Sequence, residues 1–116
     1  MVFHREELTV EQREKARGGE GTIKFTHFVE GKGKTQKNTN LLAEITLPPG
    51  ASIGKHTHTG ETEFFIIMEG AGVADDNGKE IPVKKGDVMI TACGESHSIA
   101  NNGDVPLVLH AAIISG

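Results

Sequence analysis

The chain has 116 residues, with 12 Lys and Arg against 16 Asp and Glu, a net charge of -4. Hydrophobic residues make up 36% and charged residues 24%, which is ordinary globular composition and excludes a disordered chain. An acidic sequence without Trp or Tyr is poorly suited to binding a phosphate backbone or stacking on bases, so nucleic acid is excluded as a partner. Gly is in excess at 15 residues, and the six His outnumber the five Phe.

The first segment is polar. Thr9 followed by Gln12 has the form of a capping box, Glu11 falls in its first turn, and Arg13, Lys15 and Arg17 sit toward the other end. Gly18 and Gly19 then stop it. This pattern predicts one short helix over residues 10–17 within an N-terminal segment 1–21. The start, MVFHREELTVEQREK, has no apolar run of the secretory kind, and no stretch of 18 apolar residues occurs. Neither a leader nor a membrane span is therefore expected. The single cysteine, Cys93, allows no internal disulfide, and a reducing, cytoplasmic setting is expected.

From residue 22 onward the apolar period becomes two. Ile23, Phe25, His27 and Val29 alternate on one side of a strand. Residues 31–40 carry no apolar side chain and predict an exposed loop. Strands follow at Leu41–Leu47, Ile53–His58 and Glu63–Met68, separated by Pro48-Pro49-Gly50 and Thr59-Gly60-Glu61. Asp76-Asn77-Gly78 is a hairpin signal. Shorter apolar stretches lie at 81–83, 87–91, 97–100 and 105–114. Short strands with regular turn chemistry indicate an all-β sandwich, barrel or jelly roll, here over 22–116, in a single domain spanning 1–116.

Three local patterns fail for want of context. Gly33-Lys34-Thr35 ends like a phosphate-binding loop, but Phe28 stands where its first Gly belongs. Gly94-Glu95-Ser96-His97-Ser98 lacks the last Gly of a nucleophile elbow. Asp75-Asp76-Asn77-Gly78 lacks the ligand spacing of a calcium loop.

The histidines carry more. His56 and His58 are two apart, so on a strand both imidazoles project from one face. Glu63 opens the next strand, which as an antiparallel neighbour brings its carboxylate alongside. His97 starts a later strand. Three imidazoles and a carboxylate form an N3O set suited to one divalent transition metal (Mn, Fe, Co, Ni, Cu or Zn) with at least one position open for water or substrate. Metal affinity should fall as pH drops through about 6.5, the ordinary histidine value, because only neutral imidazole ligates.

Gly50, His56, His58, Glu63 and Gly70 fit the pattern G-x5-HxH-x4-E-x6-G at every spacing. Gly86, Gly94, His97 and Asn101 fit G-x5-P-x-G-x2-H-x3-N, with Ala92 in place of the Pro. These are the two cupin motifs, and the chain resembles a single-domain microbial cupin. The resemblance implies a jelly-roll barrel (a double-stranded β-helix) holding a metal on His56, His58, Glu63 and His97. It also implies a homodimer formed by exchanged edge strands, for which the N-terminal segment is the candidate. Ala92 affects the stiffness of a turn and not a ligand.

Alternation places Phe65 and Ile67 with Glu63, Ile99 with His97, and Gly54 with His56, as a wall around the metal. His27 and His110 are expected in core or interface roles, His4 at an exposed terminus, and Cys93 as a small inert residue near the pocket mouth. Asn101 is expected to tie down backbone. Glu61 and Glu95 are the acidic residues close to ligands and the available acid–base candidates. Two functions follow: a metal-dependent enzyme (decarboxylase, dioxygenase or isomerase) acting on a small carboxylate- or sugar-like molecule, or a non-catalytic metal- or metabolite-binding module.

Overall fold

The computed structural model describes residues 1–29 and 37–115. Ten strands run in chain order: β1 (Thr9–Glu14), β2 (Thr22–His27), β3 (Thr39–Leu47), β4 (Ser52–Thr57), β5 (Glu61–Glu69), β6 (Ala71–Asp76), β7 (Lys79–Lys84), β8 (Val88–Thr91), β9 (Ser96–Ala100) and β10 (Leu107–Ser115). They form two antiparallel sheets. One has six strands in the order β1-β2-β3-β10-β5-β8, and the other four in the order β4-β9-β6-β7. This is the expected all-β jelly roll. Most of the expected loop 31–40 lies outside the described residues. No helix among the described residues is long and apolar enough to cross a membrane.

The predicted helix over 10–17 is absent. Residues 9–14 are strand β1, paired antiparallel with β2 from Thr9↔His27 to Glu14↔Thr22, and only a single 3-10 turn, Ala16–Gly18, follows. Helix propensity is a weak preference that a sheet edge overrides by offering every other backbone group a partner. Side chains reinforce the pairing. Arg13 lies over the Phe25 ring at 4.3 Å, and Glu11 bonds His27 Nε2 at 2.9 Å. The larger sheet therefore begins at Thr9 and not at residue 22. At its start Arg5 pairs with Glu44 on β3, and that hydrogen bond lowers the Glu44 carboxyl.

The core lies between the sheets, and its order follows from period two. On the inner face of the larger sheet, Phe25, Ile45, Leu109 and Ile67 make one row across four strands. The next row runs His27, Ala43, Ala111, Phe65 and Met89. The third runs Leu41, Ile113, Glu63 and Thr91. Glu63 thus occupies a core position in a layer that is hydrocarbon apart from His27 and its own register partner Thr91. Ile53, Ile99 and Ala74 close the core from the smaller sheet. The hairpin between β6 and β7 turns at Asn77 and Gly78, with φ of 52° and 91°, which is the backbone a tight Asn-Gly hairpin requires.

The turn Ala16–Gly18 is pressed onto β4. A Cβ on Gly54 would lie 2.1 Å from the Arg17 carbonyl oxygen, and one on Gly19 would lie 2.3 Å from the Ser52 carbonyl oxygen. Both obstacles are backbone, so neither can step aside cheaply. Gly54→Ala should therefore destabilise the fold by about 1–3 kcal/mol, a fall of several degrees in Tm. Gly103→Ala, whose new Cβ would meet Asn101 Oδ1 at an ordinary 3.5 Å, should stay within about 0.5 kcal/mol. Thermal melts of the two variants check this.

Candidate metal centre

The structure brings His56, His58, Glu63 and His97 together, each offering one ligand atom within 4.8 Å of the others. They arrive from different places. His56 and His97 face each other as a register pair of β4 and β9. His58 lies just past the end of β4. Glu63 does not come from a strand neighbouring β4, as expected. Its strand β5 pairs with β10 and β8, so the carboxylate meets the imidazoles across the sandwich.

Strict alternation would not aim His56 inward. Ile53 is buried and pairs with Ile99, while His56 pairs with His97, so β4 spends three steps where β9 spends two. This bulge at residues 54–55 flips the facing of the strand, a common device beside functional sites. Gly54 is therefore not part of the inward wall. It sits in the bulge against Arg17, and its carbonyl accepts a hydrogen bond from His56 Nδ1 at 2.8 Å.

The ligand atoms are close. Glu63 Oε1 lies 2.8 Å from His58 Nε2 and 2.9 Å from His97 Nε2. His97 Nε2 lies 3.0 Å from His58 Nε2 and 3.1 Å from His56 Nε2. Two ligands at right angles, each about 2.1 Å from one ion, are about 3 Å apart, so the spacing fits a shared cation. His56 Nε2 to Glu63 Oε1 is longer, at 3.8 Å.

Every imidazole is held from behind. His56 Nδ1 donates to the Gly54 carbonyl, and His58 Nδ1 donates to Glu61 Oε1 at 3.0 Å. His97 Nδ1 bonds Thr91 Oγ1 at 2.7 Å. Thr91 is the register partner of Glu63, so one inner row of the larger sheet supplies both a ligand and a support. Such partners fix the ring plane and leave Nε2 to the metal. Phe65 stacks on His97 at 4.9 Å. Burial raises the Glu63 carboxyl. The polar contacts with His56 and His97, and the charges of His97 and His58 when protonated, together outweigh that and lower it from 4.5 to about 2. Among the described residues this N3O group could hold one metal ion.

A family model for the cupin domain matches residues 43–113. The chain belongs to the cupin family. It is 44% identical over 114 residues to the oxalate-binding protein of Thermotoga maritima, spanning 98% of this chain and 93% of that one. A crystal structure of a predicted oxalate decarboxylase from Thermotoga maritima superposes with a TM-score of 0.93, at 43% identity over all of both chains. A cupin domain from Schizosaccharomyces pombe has a TM-score of 0.73 at 18% identity over 91% of this chain and 69% of that one, a likeness of fold alone.

The remaining candidates of this cupin fall outside the cavity at the ligand cluster. Glu61 accepts from His58 Nδ1 and, at 3.1 Å, from Asn40 Nδ2. Glu95 accepts from the Ala92 amide at 2.8 Å and from Asn77 Nδ2 at 3.2 Å. Neither lines that cavity. Asn101 holds backbone as expected, donating to the carbonyls of Leu47 and Val105. Cys93 is exposed and accepts from the Gly60 amide. His27 bonds Glu11, and His110 bonds Glu44 at 3.1 Å. His4 is exposed.

The sequence reading missed two residues. The cavity in front of the cluster, of volume ≈ 60 Å³, is lined by Arg13 and Arg17 as well as by His56, His58 and Glu63. Their polar segment has the local pattern of a helix, so nothing in it points them at the barrel. The hydrogen-bond pattern also makes a prediction. A carbonyl and a carboxylate can only accept, so Nδ1 should carry the proton on both His56 and His58. Long-range proton–nitrogen NMR of the zinc-loaded protein should show both as Nδ1–H, with Nε2 metal-bound.

Proposed function

We propose that His56, His58, Glu63 and His97 hold one divalent transition metal, and that the cavity presents it to a small carboxylate- or sugar-like molecule for metal-dependent chemistry. The observation that carries this is the convergence of three imidazole Nε2 atoms and a carboxylate oxygen, with Nδ1 of each ring already hydrogen-bonded. With Nδ1 of His56 and His58 donating to acceptor-only partners, their neutral rings present Nε2 as an acceptor beside the Glu63 carboxylate, an arrangement that a cation relieves. A bound metal would supply Lewis-acid or redox chemistry at its open positions. The chain's own part is to fix the ligands, to surround them with hydrocarbon that excludes water, and to keep the cavity small.

Similarity to the oxalate-binding protein of Thermotoga maritima supports a small carboxylate. A second reading, a non-catalytic binding module, is supported by the positions of Glu61 and Glu95. Both acid–base candidates are engaged away from the cavity. Pairing of two copies stays part of the proposal. Beside the exchanged N-terminal strand, Ile66, Val88 and Ile90 expose apolar surface on β5 and β8 of the larger sheet, a second face on which another copy would sit.

Elemental analysis of natively purified protein should find about one transition metal per chain, and His56→Ala with His58→Ala should abolish it. Retention in the double variant would overturn the site. Acidification should release the metal, because only neutral imidazole ligates. Glu63, lowered to about 2, keeps its charge until far lower pH. Turnover of small carboxylates or sugars by the loaded protein would establish the enzyme, and saturable binding without turnover would establish the binding module.

A further inference from the structure

The three imidazoles of the cluster have chemically different supports. His56 Nδ1 faces the Gly54 carbonyl, and His58 Nδ1 faces the Glu61 carboxylate. Both partners can only accept, so each of these rings, when neutral, keeps its proton on Nδ1 and turns a bare Nε2 inward. His97 differs. Its Nδ1 lies 2.7 Å from Thr91 Oγ1, and a hydroxyl can either donate or accept. Thr91 and His97 are 0% and 1% exposed, so bulk water does not compete for that bond.

The inner side of the cluster decides which way the bond runs. His97 Nε2 faces Glu63 Oε1 at 2.9 Å, His58 Nε2 at 3.0 Å and His56 Nε2 at 3.1 Å. All three are acceptors once His56 and His58 hold their protons on Nδ1. Were His97 Nε2 a fourth acceptor, four lone-pair atoms would face one another in a buried site with no proton among them, which is costly. His97 is the one ring of the three that can bring a proton to this point without losing its support, because the Thr91 hydroxyl can donate to Nδ1. A cation at the same point reverses the requirement. Nε2 must then present its lone pair, so the proton belongs on Nδ1, where Thr91 Oγ1 accepts it.

We propose that His97 changes tautomer when the site takes up its metal, and that Thr91 is the positioning residue that serves both forms. Without metal, His97 Nε2–H donates to Glu63 and the Thr91 hydroxyl donates to Nδ1. With metal, Nδ1–H donates to Thr91 Oγ1 and Nε2 is the ligand. The ring is neutral in both forms: it loses one proton at Nε2 and gains one at Nδ1. Phe65 is stacked on His97 at 4.9 Å and 15°, and both nitrogens keep their partners, so the change needs no movement of the ring. This rests on the metal proposed above and makes the ligands unequal. His56 and His58 are set for metal beforehand, and His97 is the ligand whose proton has to move.

The test is long-range proton–nitrogen NMR of the histidine rings at about pH 8, above the ordinary histidine range, before and after loading with zinc, with zinc content measured on the same samples. His56 and His58 should read as Nδ1–H in both states. His97 should read as Nε2–H without zinc and as Nδ1–H with it. Thr91→Val leaves the loaded Nδ1–H buried without an acceptor and should lose about tenfold in zinc affinity, while Thr91→Ser should restore it. A loaded wild type in which His97 has the same protonated nitrogen before and after zinc would overturn the reversal alone. So would a zinc-free His97 protonated on both nitrogens. A folded Thr91→Val variant that binds zinc like wild type would overturn the role of Thr91, and if that variant does not fold the two wild-type spectra still decide the tautomer. A wild type that takes up no zinc would overturn the metal reading, and the reversal with it.

Discussion

Three imidazole nitrogens and one carboxylate oxygen meet at about 3 Å spacing inside a hydrocarbon sandwich, and the surrounding structure is arranged to hold that point. Leaving such groups buried without a cation or shared protons is costly. The supports are correspondingly many. A bulge turns His56 inward, a glycine carbonyl fixes its tautomer, Glu61 does the same for His58, and Phe65 and Thr91 hold His97. Each acts on one ring, so loss of any one support would loosen one ligand while leaving the others in place.

The candidate ligands come from both sheets. His56 and His97 belong to the four-stranded sheet and Glu63 to the six-stranded one. The site therefore exists only when the sandwich is closed, and packing of Ile53 and Ile99 against Phe65 and Ile67 sets the distance across it. Stability of the core and geometry of the centre are one property in this fold. Binding that selects the folded state adds to its stability by mass action.

Most strands were legible in the sequence because two-residue alternation and Gly, Pro and Asn turns are local signals. The clustering of the four candidate ligands was legible because their chemical types are uncommon together and their spacing is short. Three features were not. Residues 9–14 carry Val10 as their one aliphatic side chain beyond the β-branched Thr9, and Val10 is exposed. An edge strand covered on one face by Arg13 stacking on Phe25 leaves no apolar alternation to read. The bulge at residues 54–55 cannot be seen in one strand, because it exists only relative to β9. Alternation alone therefore put Gly54 on the wrong face. The arrival of Glu63 across the sandwich likewise depends on which strands pair, and not on how far apart the residues are in the chain.

The misplaced segment is also the one that gives the cavity its electrostatic character. The chain as a whole is acidic, at -4, and its general field opposes an anionic ligand. At about 8–10 Å of screening length in ordinary salt, distant carboxylates matter little beside charges that line the cavity itself. There the local balance reverses: among the described residues Arg17 has no ion-pair partner, and Arg13 is only partly offset by Glu11. Strand β1 and its turn, which a propensity argument would treat as an appendage, thus complete the barrel as a sheet edge and supply the cations that face its buried carboxylate and imidazoles. The tight Gly19 and Gly54 contacts have a reason on this view, since they fix the turn that carries Arg17 against the same bulge that aims His56.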